Sequence, residues 1–309
     1  MGRRLLTVLL LALLPLNALP AAGGASTRPV KLEIGGAEID VDLTPARYAV
    51  TSEQLLQWID AAAKAVSHYY GRFPVSHLHL TVTPREGSEG ISATTYGTED
   101  GGYIQLSVGT EARLDDPGND WVMTHEMVHL AFPQMEREHH WIEEGLATYV
   151  EPLARAEVGE LTPEYVWQET VEGMPKGLPG AGDQGLDRTH TWGRTYWGGA
   201  LFCLLADVEI RERTHDRYGL QDALRGILAA GGSISTEADI GYTLETADKA
   251  VGVPVLTALY ASMKDKPVTP DLPALWKKLG VIYRDGKVSF DDSAPDAAIR
   301  KALTAPDTR

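Results

Sequence analysis

The sequence predicts an α+β fold, a strand-rich first third followed by a mostly helical remainder. Three observations carry that reading. Alternation of apolar and polar residues is confined to the segment before about residue 110. Apolar positions recur at helical spacing from about Asp120 onward. No internal repeat or low-complexity tract breaks the order, so strands and helices are segregated rather than alternating.

Lys31 to Leu43 alternates around Gly35-Gly36 and predicts a hairpin. Thr51-Ser52-Glu53 opens a helix whose apolar face holds Leu55, Leu56, Ile59, Ala63 and Val66, and Gly71 and Pro74 close it. Leu78–Val82 and Tyr103–Val108 read as strands, with glycine-rich turns between them. A helix is expected from Asn119 or Asp120 to Phe132, stopped by Pro133, and a second from Trp141 to about Val158. Residues 173–193 carry many glycines and two prolines and predict a long loop, a candidate lid over the site. Helices follow at about 194–213, 219–230 and 243–263, then a short helix and a hairpin at Arg284-Asp285-Gly286. A cleft is expected where the two halves meet.

Composition narrows the function. Hydrophobic residues make up 43% and charged residues 23%, an ordinary globular balance. Acidic residues outnumber basic ones 43 to 28, a formal charge of -15, which repels phosphate backbones and anionic lipid. Nucleic acid and membrane surfaces are therefore not expected partners. The N-terminus has the order of a secretory signal: Arg3 and Arg4, an apolar run from Leu5 to Leu14, then small residues Ala21 to Ser26. Residues 1–26 are expected to be removed, which places the mature chain outside the cytoplasm, periplasmic or secreted. The single cysteine, Cys203, lies in an apolar run and reads as a buried hydrophobe, a poor nucleophile.

The sharpest chemical signal is His125-Glu126-Met127-Val128-His129. Residues four apart share one helix face, so both imidazoles can reach one metal ion. Glu126 is rotated off that face, where it can touch a water on the metal. Zinc lowers the pKa of such a water to about 7, and the carboxylate accepts its proton as hydroxide attacks a carbonyl. A hydrolytic zinc site needs a third protein ligand. The position six residues after the second histidine is Met135, but Trp141-Ile142-Glu143-Glu144-Gly145-Leu146-Ala147-Thr148-Tyr149 offers carboxylates on the next helix.

These two segments together resemble the gluzincin metallopeptidases, in which the glutamate before the glycine is the third zinc ligand. The resemblance implies a thermolysin-like catalytic domain, one Zn2+ held by His125, His129 and Glu144, and Glu126 as general base. Glu143 is the alternative ligand. Thr195-Tyr196-Trp197-Gly198-Gly199-Ala200-Leu201 further resembles a helix of the glycyl aminopeptidase family, whose tyrosine stabilises the oxyanion. That role falls on Tyr196, with His190 as the alternative donor. A phenol about 3 Å from a developing oxyanion is worth a few kcal/mol of barrier. Aminopeptidases of that family hold the substrate amine with a glutamate in a Gly-Gly-x-Glu motif. Gly101-Gly102-Tyr103-Ile104 places Ile104 there, which favours endopeptidase over aminopeptidase, with Glu99 or Asp100 as substitutes if a free amine is required.

On this reading residues 1–26 are the signal, 27–118 the N-terminal α/β part and 119–309 the helical zinc-binding part of one catalytic domain. The expected function is zinc-dependent hydrolysis of peptide or protein substrates. The alternative is a non-catalytic peptide-binding or scaffold protein that keeps a peptidase-like fold. Thr148 is a possible partner for a ligand histidine or a plain surface residue. His139 and His140 read as loop residues, and His68, His77 and His79 as histidines without metal-like partners.

Overall fold

The hairpin forms as its sequence dictates, from Val30–Ile34 (β1) and Ala37–Leu43 (β2). The computed structural model that shows it describes residues 29–305, so the expected signal, residues 1–26, lies outside the described residues. Helix α1, Ser52–Tyr70, starts at a reciprocal cap. Thr51 Oγ1 accepts from Gln54 N at 3.1 Å, and Gln54 Oε1 accepts from Thr51 N at 2.8 Å. Its apolar stripe, including Leu55, Ile59, Ala63 and Val66, is buried, and the helix packs against two later helices that carry the site.

Strands His77–Arg85 (β3), Ile91–Thr98 (β4) and Gly101–Gly109 (β5) complete a five-stranded sheet in the order β1-β2-β3-β5-β4. β2, β3 and β5 run parallel, and β4 lies antiparallel to β5 at the edge. Ile39, Val41, Leu78, Leu80, Val82, Leu106 and Val108 point into the core from this sheet, all fully buried. The glycine-rich turn expected between β3 and β5 is therefore a strand in its own right. Its sequence, Ile91-Ser92-Ala93-Thr94-Thr95-Tyr96, lacks apolar alternation because one edge and one face look into a polar cleft.

The helical half begins with Val122–His129 (α2) and His140–Glu157 (α3). α2 is shorter than expected at both ends. Asn119 does not cap it; its side-chain amide donates to Glu89 O and Arg113 O and accepts from Ile91 N at 2.9 Å, tying the start of β4. Pro163–Gly173 (α4) is a helix the periodicity did not reveal, capped by Thr162. A π-helical turn, Arg194–Gly198, runs into Gly199–Thr214 (α5), and Leu220–Ala229 (α6) follows.

The single helix expected over 243–263 is two, Ile240–Val251 (α7) and Leu256–Met263 (α8). Gly252 turns left-handed and Pro254 offers no N–H, while the Asp248 carboxylate accepts from the backbone of Val255, Leu256 and Thr257 at 2.8–3.0 Å. The chain closes with Leu272–Leu279 (α9), the hairpin Val281–Arg284 (β6) and Lys287–Phe290 (β7), and Ala297–Thr304 (α10).

The candidate lid, residues 173–193, is anchored to the scaffold. Asp187 accepts from Trp141 Nε1 and Tyr260 Oη, both at 2.8 Å, and contacts His139 Nδ1 at 3.1 Å. Leu186 is buried and its N–H donates to Met263 O. Asp183 and Arg194 form a buried ion pair at 2.8 Å. Releasing this segment would strand buried charge, so it is part of the scaffold.

Candidate active site

α2 presents His125 and His129 on one face, one turn apart, with ring centroids 4.9 Å apart. The first turns of α3 bring Glu144 against them: Glu144 Oε2 lies 3.3 Å from His125 Nε2 and 3.6 Å from His129 Nε2. All three side chains are largely shielded from solvent. Burial alone would raise the Glu144 pKa, but contacts with His125, His129 and His140 hold it far below the usual carboxylate range. Burial lowers His125, whereas for His129 the Glu144 contact and nearby carboxylates outweigh burial and raise it.

Glu143 lines the same cleft but does not join the histidine pair. Its carboxylate accepts from Met135 N at 3.3 Å and contacts His140 Nδ1 at 3.1 Å. His140 Nε2 lies 3.3 Å from the second oxygen of Glu144. Its hydrogen bonds to Glu143 and Glu144 push its pKa up to about 10. His140 is thus the first residue of α3 and a partner of the converging group, not a plain loop residue. A histidine four residues before Glu144 on the same helix was the available signal.

Glu126 leaves the histidine face and meets β4. Thr95 Oγ1 lies 2.6 Å from Glu126 Oε2 and 2.9 Å from Glu126 O. Sequence reading missed Thr95, since nothing local marks one threonine on a polar strand. Ile104 is corrected in turn. It sits in β5, fully buried in the core, and does not face the cleft. The strand that lines the cleft is β4, which carries Ser92, Thr94, Thr95 and Tyr96 there and no carboxylate. Asp100, in the turn after it, accepts from Thr98 and contacts His77.

Tyr196 arrives through a close helix crossing. A Cβ on Gly145 would overlap the Gly199 backbone, and one on Gly199 would overlap Trp141 O, so only two glycines let α3 and α5 approach this far. The π-helical turn at the head of α5 then sets the Tyr196 ring 6.4 Å from His125, stacked, with Trp192 stacked behind it at 5.9 Å. Burial and the facing Glu144 carboxylate push the phenol up to about 12. His190 lines a separate cavity with Thr195 and Glu136, and Thr148 lines the apolar cavity next door. Cys203 is buried in α5, where burial raises its thiol pKa.

His125, Glu126, His129, Glu144 and Tyr196 share one cleft of about 560 Å³. The ligand atoms of His125, His129 and Glu144 lie within 4.8 Å of one another. Two imidazoles and one carboxylate, open to a cleft on one side, fit the donor set of a hydrolytic zinc site. A second group, Glu38, Asp40 and His77, corrects the expectation that His77 lacks metal-like partners. There Lys31 already serves as the cation, 2.6 Å from Glu38 and 3.5 Å from Asp40.

No family model matches the chain, and no curated protein matches it. Solved structures match it in shape. An aminopeptidase N family protein from Idiomarina loihiensis superposes with a TM-score of 0.61 at 14% identity, covering 82% of this chain and 49% of that one. The M1 zinc metallopeptidase from Deinococcus radiodurans superposes with a TM-score of 0.53 at 16% identity, covering 80% of this chain and 53% of that one. The chain spans about half the length of these structures. What it shares with them is the fold, a mixed N-terminal sheet followed by a helical C-terminal half.

Proposed function

We propose that the chain is an exported zinc-dependent peptidase that resembles the glycyl aminopeptidase catalytic domain in its motif pattern. The observation that carries this reading is the convergence of His125, His129 and Glu144 from two helices, with Glu126 beside them in one cleft. His125, His129 and Glu144 would hold the metal. When bound, zinc supplies Lewis acidity and lowers the pKa of a water to about 7.

The chain's own residues supply the rest. Glu126 takes a proton from the attacking water and returns it to the departing amine. Thr95, donating to Glu126, holds that carboxylate against the strand on which a substrate backbone can lie. Tyr196 stays protonated at neutral pH, with a pKa near 12, and donates to the oxyanion of the tetrahedral intermediate. His140 steadies the outer oxygen of Glu144.

The likeness to an aminopeptidase N family protein speaks for cleavage at a free N-terminus. Against a strict requirement for one stands β4, which brings no carboxylate to the cleft, so that Glu143, already engaged by Met135 N and His140, is among the described residues the one cleft carboxylate outside the group of Glu126 and Glu144. We favour cleavage that tolerates a blocked N-terminus. Protein purified without added metal is expected to carry one zinc per chain by elemental analysis. It should cleave internally quenched, N-acetylated peptides, lose that activity with a chelator and regain it with zinc. Metal content near zero that zinc does not restore sinks the site, and strict dependence on a free amine sinks the endopeptidase preference.

A further inference from the structure

Arg194 and Tyr196 stand two residues apart on the π-helical turn, so their side chains leave it on roughly opposite sides. Tyr196 lines the metal cleft, whereas Arg194 is 3% exposed and turns into the scaffold. We propose that Arg194 is a positioning residue for Tyr196: its buried pairing with Asp183 fixes the turn so that the phenol meets the oxyanion. The proposal rests on the peptidase reading and adds to it a residue that acts only through Tyr196.

The contacts make the case. Arg194 Nε lies 2.8 Å from Asp183 Oδ2, and the Asp183 side chain is as deeply buried as its partner. Arg194 Nη1 donates to Gly177 O at 2.5 Å and so reaches a second segment, the 3-10 turn Met174–Gly177. That turn also presses on the far end of the π-helical turn. A Cβ on Gly177 would overlap the backbone of Trp197 and Gly198, and one on Gly173 would overlap the Trp197 ring. The turn is thus gripped at Arg194 and at Trp197, and Tyr196 projects into the cleft from between them.

Stability does not account for the pair. A buried ion pair adds little over apolar packing of the same volume, and burial lowers the Arg194 pKa despite Asp183. The guanidinium suits placement instead, since its planar fork joins a carboxylate and a carbonyl at fixed angles. An oxyanion donor has to stand about 2.7–3.1 Å from an oxygen whose charge develops only in the transition state. Turns of the π type are rare and recur at functional sites.

The test follows Tyr196 directly. In protein labelled with 13C-tyrosine, the Tyr196 ring signals are identified by their loss in Tyr196→Phe and carry ring-current shifts from His125 and Trp192. Arg194→Lys keeps the charge but loses the two-point reach. It is expected to move the Tyr196 signals while those of Tyr48, ahead of α1, stay in place. Its kcat should fall about tenfold, with KM and zinc content little changed. In the Tyr196→Phe background the same substitution should cost less than about twofold, because the group it aims is gone. Arg194→Met combined with Asp183→Leu removes both charges, strands neither, and should reproduce the shifts and the loss. Stationary Tyr196 signals, or an equal kcat loss in both backgrounds, overturns the positioning role and leaves the peptidase reading standing. Failure of both variants to fold assigns the pair to stability alone and overturns it as well. Shifted Tyr196 signals in a protein that cleaves no peptide support the positioning and overturn the peptidase reading.

Discussion

Thr95 Oγ1 lies 2.6 Å from Glu126 Oε2, so the edge strand β4 and the helix of His125 and His129 are joined at the residue proposed as general base. The hydroxyl is close to the carboxylate and to the Glu126 carbonyl at once, but its single proton serves one of them at a time. Either way, Glu126 is held on the side of β4.

Thr95→Val removes that bond while keeping the shape of the side chain. A hydrogen bond to a charged group is worth about 1.5–3 kcal/mol, so kcat is expected to fall roughly ten- to a hundredfold. Zinc content should not change. Thr95→Ser, which keeps the hydroxyl, should recover most of the rate. Steady-state kinetics of the three proteins decide it: equal losses in Val and Ser variants would mean that packing, not the hydrogen bond, matters.

Base and ligand separate by substitution. Glu126→Gln is expected to retain zinc and to lose about 100-fold or more in kcat, since an amide cannot take the water's proton. Glu144→Gln should weaken zinc binding, because a neutral amide is a poor ligand. Glu143→Gln should keep its metal, as Glu143 contacts Met135 N and His140 instead. Metal content after dialysis distinguishes these outcomes, and zinc lost from Glu143→Gln alone would shift the ligand by one residue.

Tyr196→Phe tests the oxyanion role. The ring keeps its stacking on His125 and Trp192, so the fold should survive. Removal of one oxyanion donor costs about a hundredfold in kcat. KM should move little, because the interaction forms mainly in the transition state. An unchanged kcat would return the role to another donor.

His77 joins β3 to β2 through Asp40, 3.2 Å away, and lies 3.4 Å from Asp100. The Asp40 hydrogen bond, helped by Asp100, outweighs partial burial and raises the imidazole above its ordinary value of 6.5. A histidine raised on folding stabilises the protein fully below that ordinary value. The gain is lost as pH rises through the higher folded value. NMR titration of the His77 Cε1–H resonance should give a midpoint above 6.5, lowered by Asp40→Asn. A midpoint at or below the ordinary value would refute the pairing.

Features encoded within a few residues were legible in the sequence. The Gly35-Gly36 hairpin, the Thr51 cap and the one-turn spacing of His125 and His129 each follow from backbone geometry over a short span. The same is true of the polarity pattern that separates a sheet half from a helical half. Neighbours from distant segments decided the rest. β4 is a strand because β5 pairs with it, and its polar residues survive there because they face a cleft. Ile104 is core because it shares one face of β5 with Leu106 and Val108, and that face is packed over by the rest of the protein. Glu143 and Glu144 stand about 100° apart on one helix turn, and composition cannot choose between them. Only the way α3 packs on α2, with Gly145 pressed against Gly199, turns Glu144 to the histidines and brings Tyr196 beside them. Residue order alone settles which chemistry-bearing residues are present and which helices carry them. Their meeting, and the Thr95 hydroxyl that holds Glu126, depend on long-range packing that no local pattern encodes.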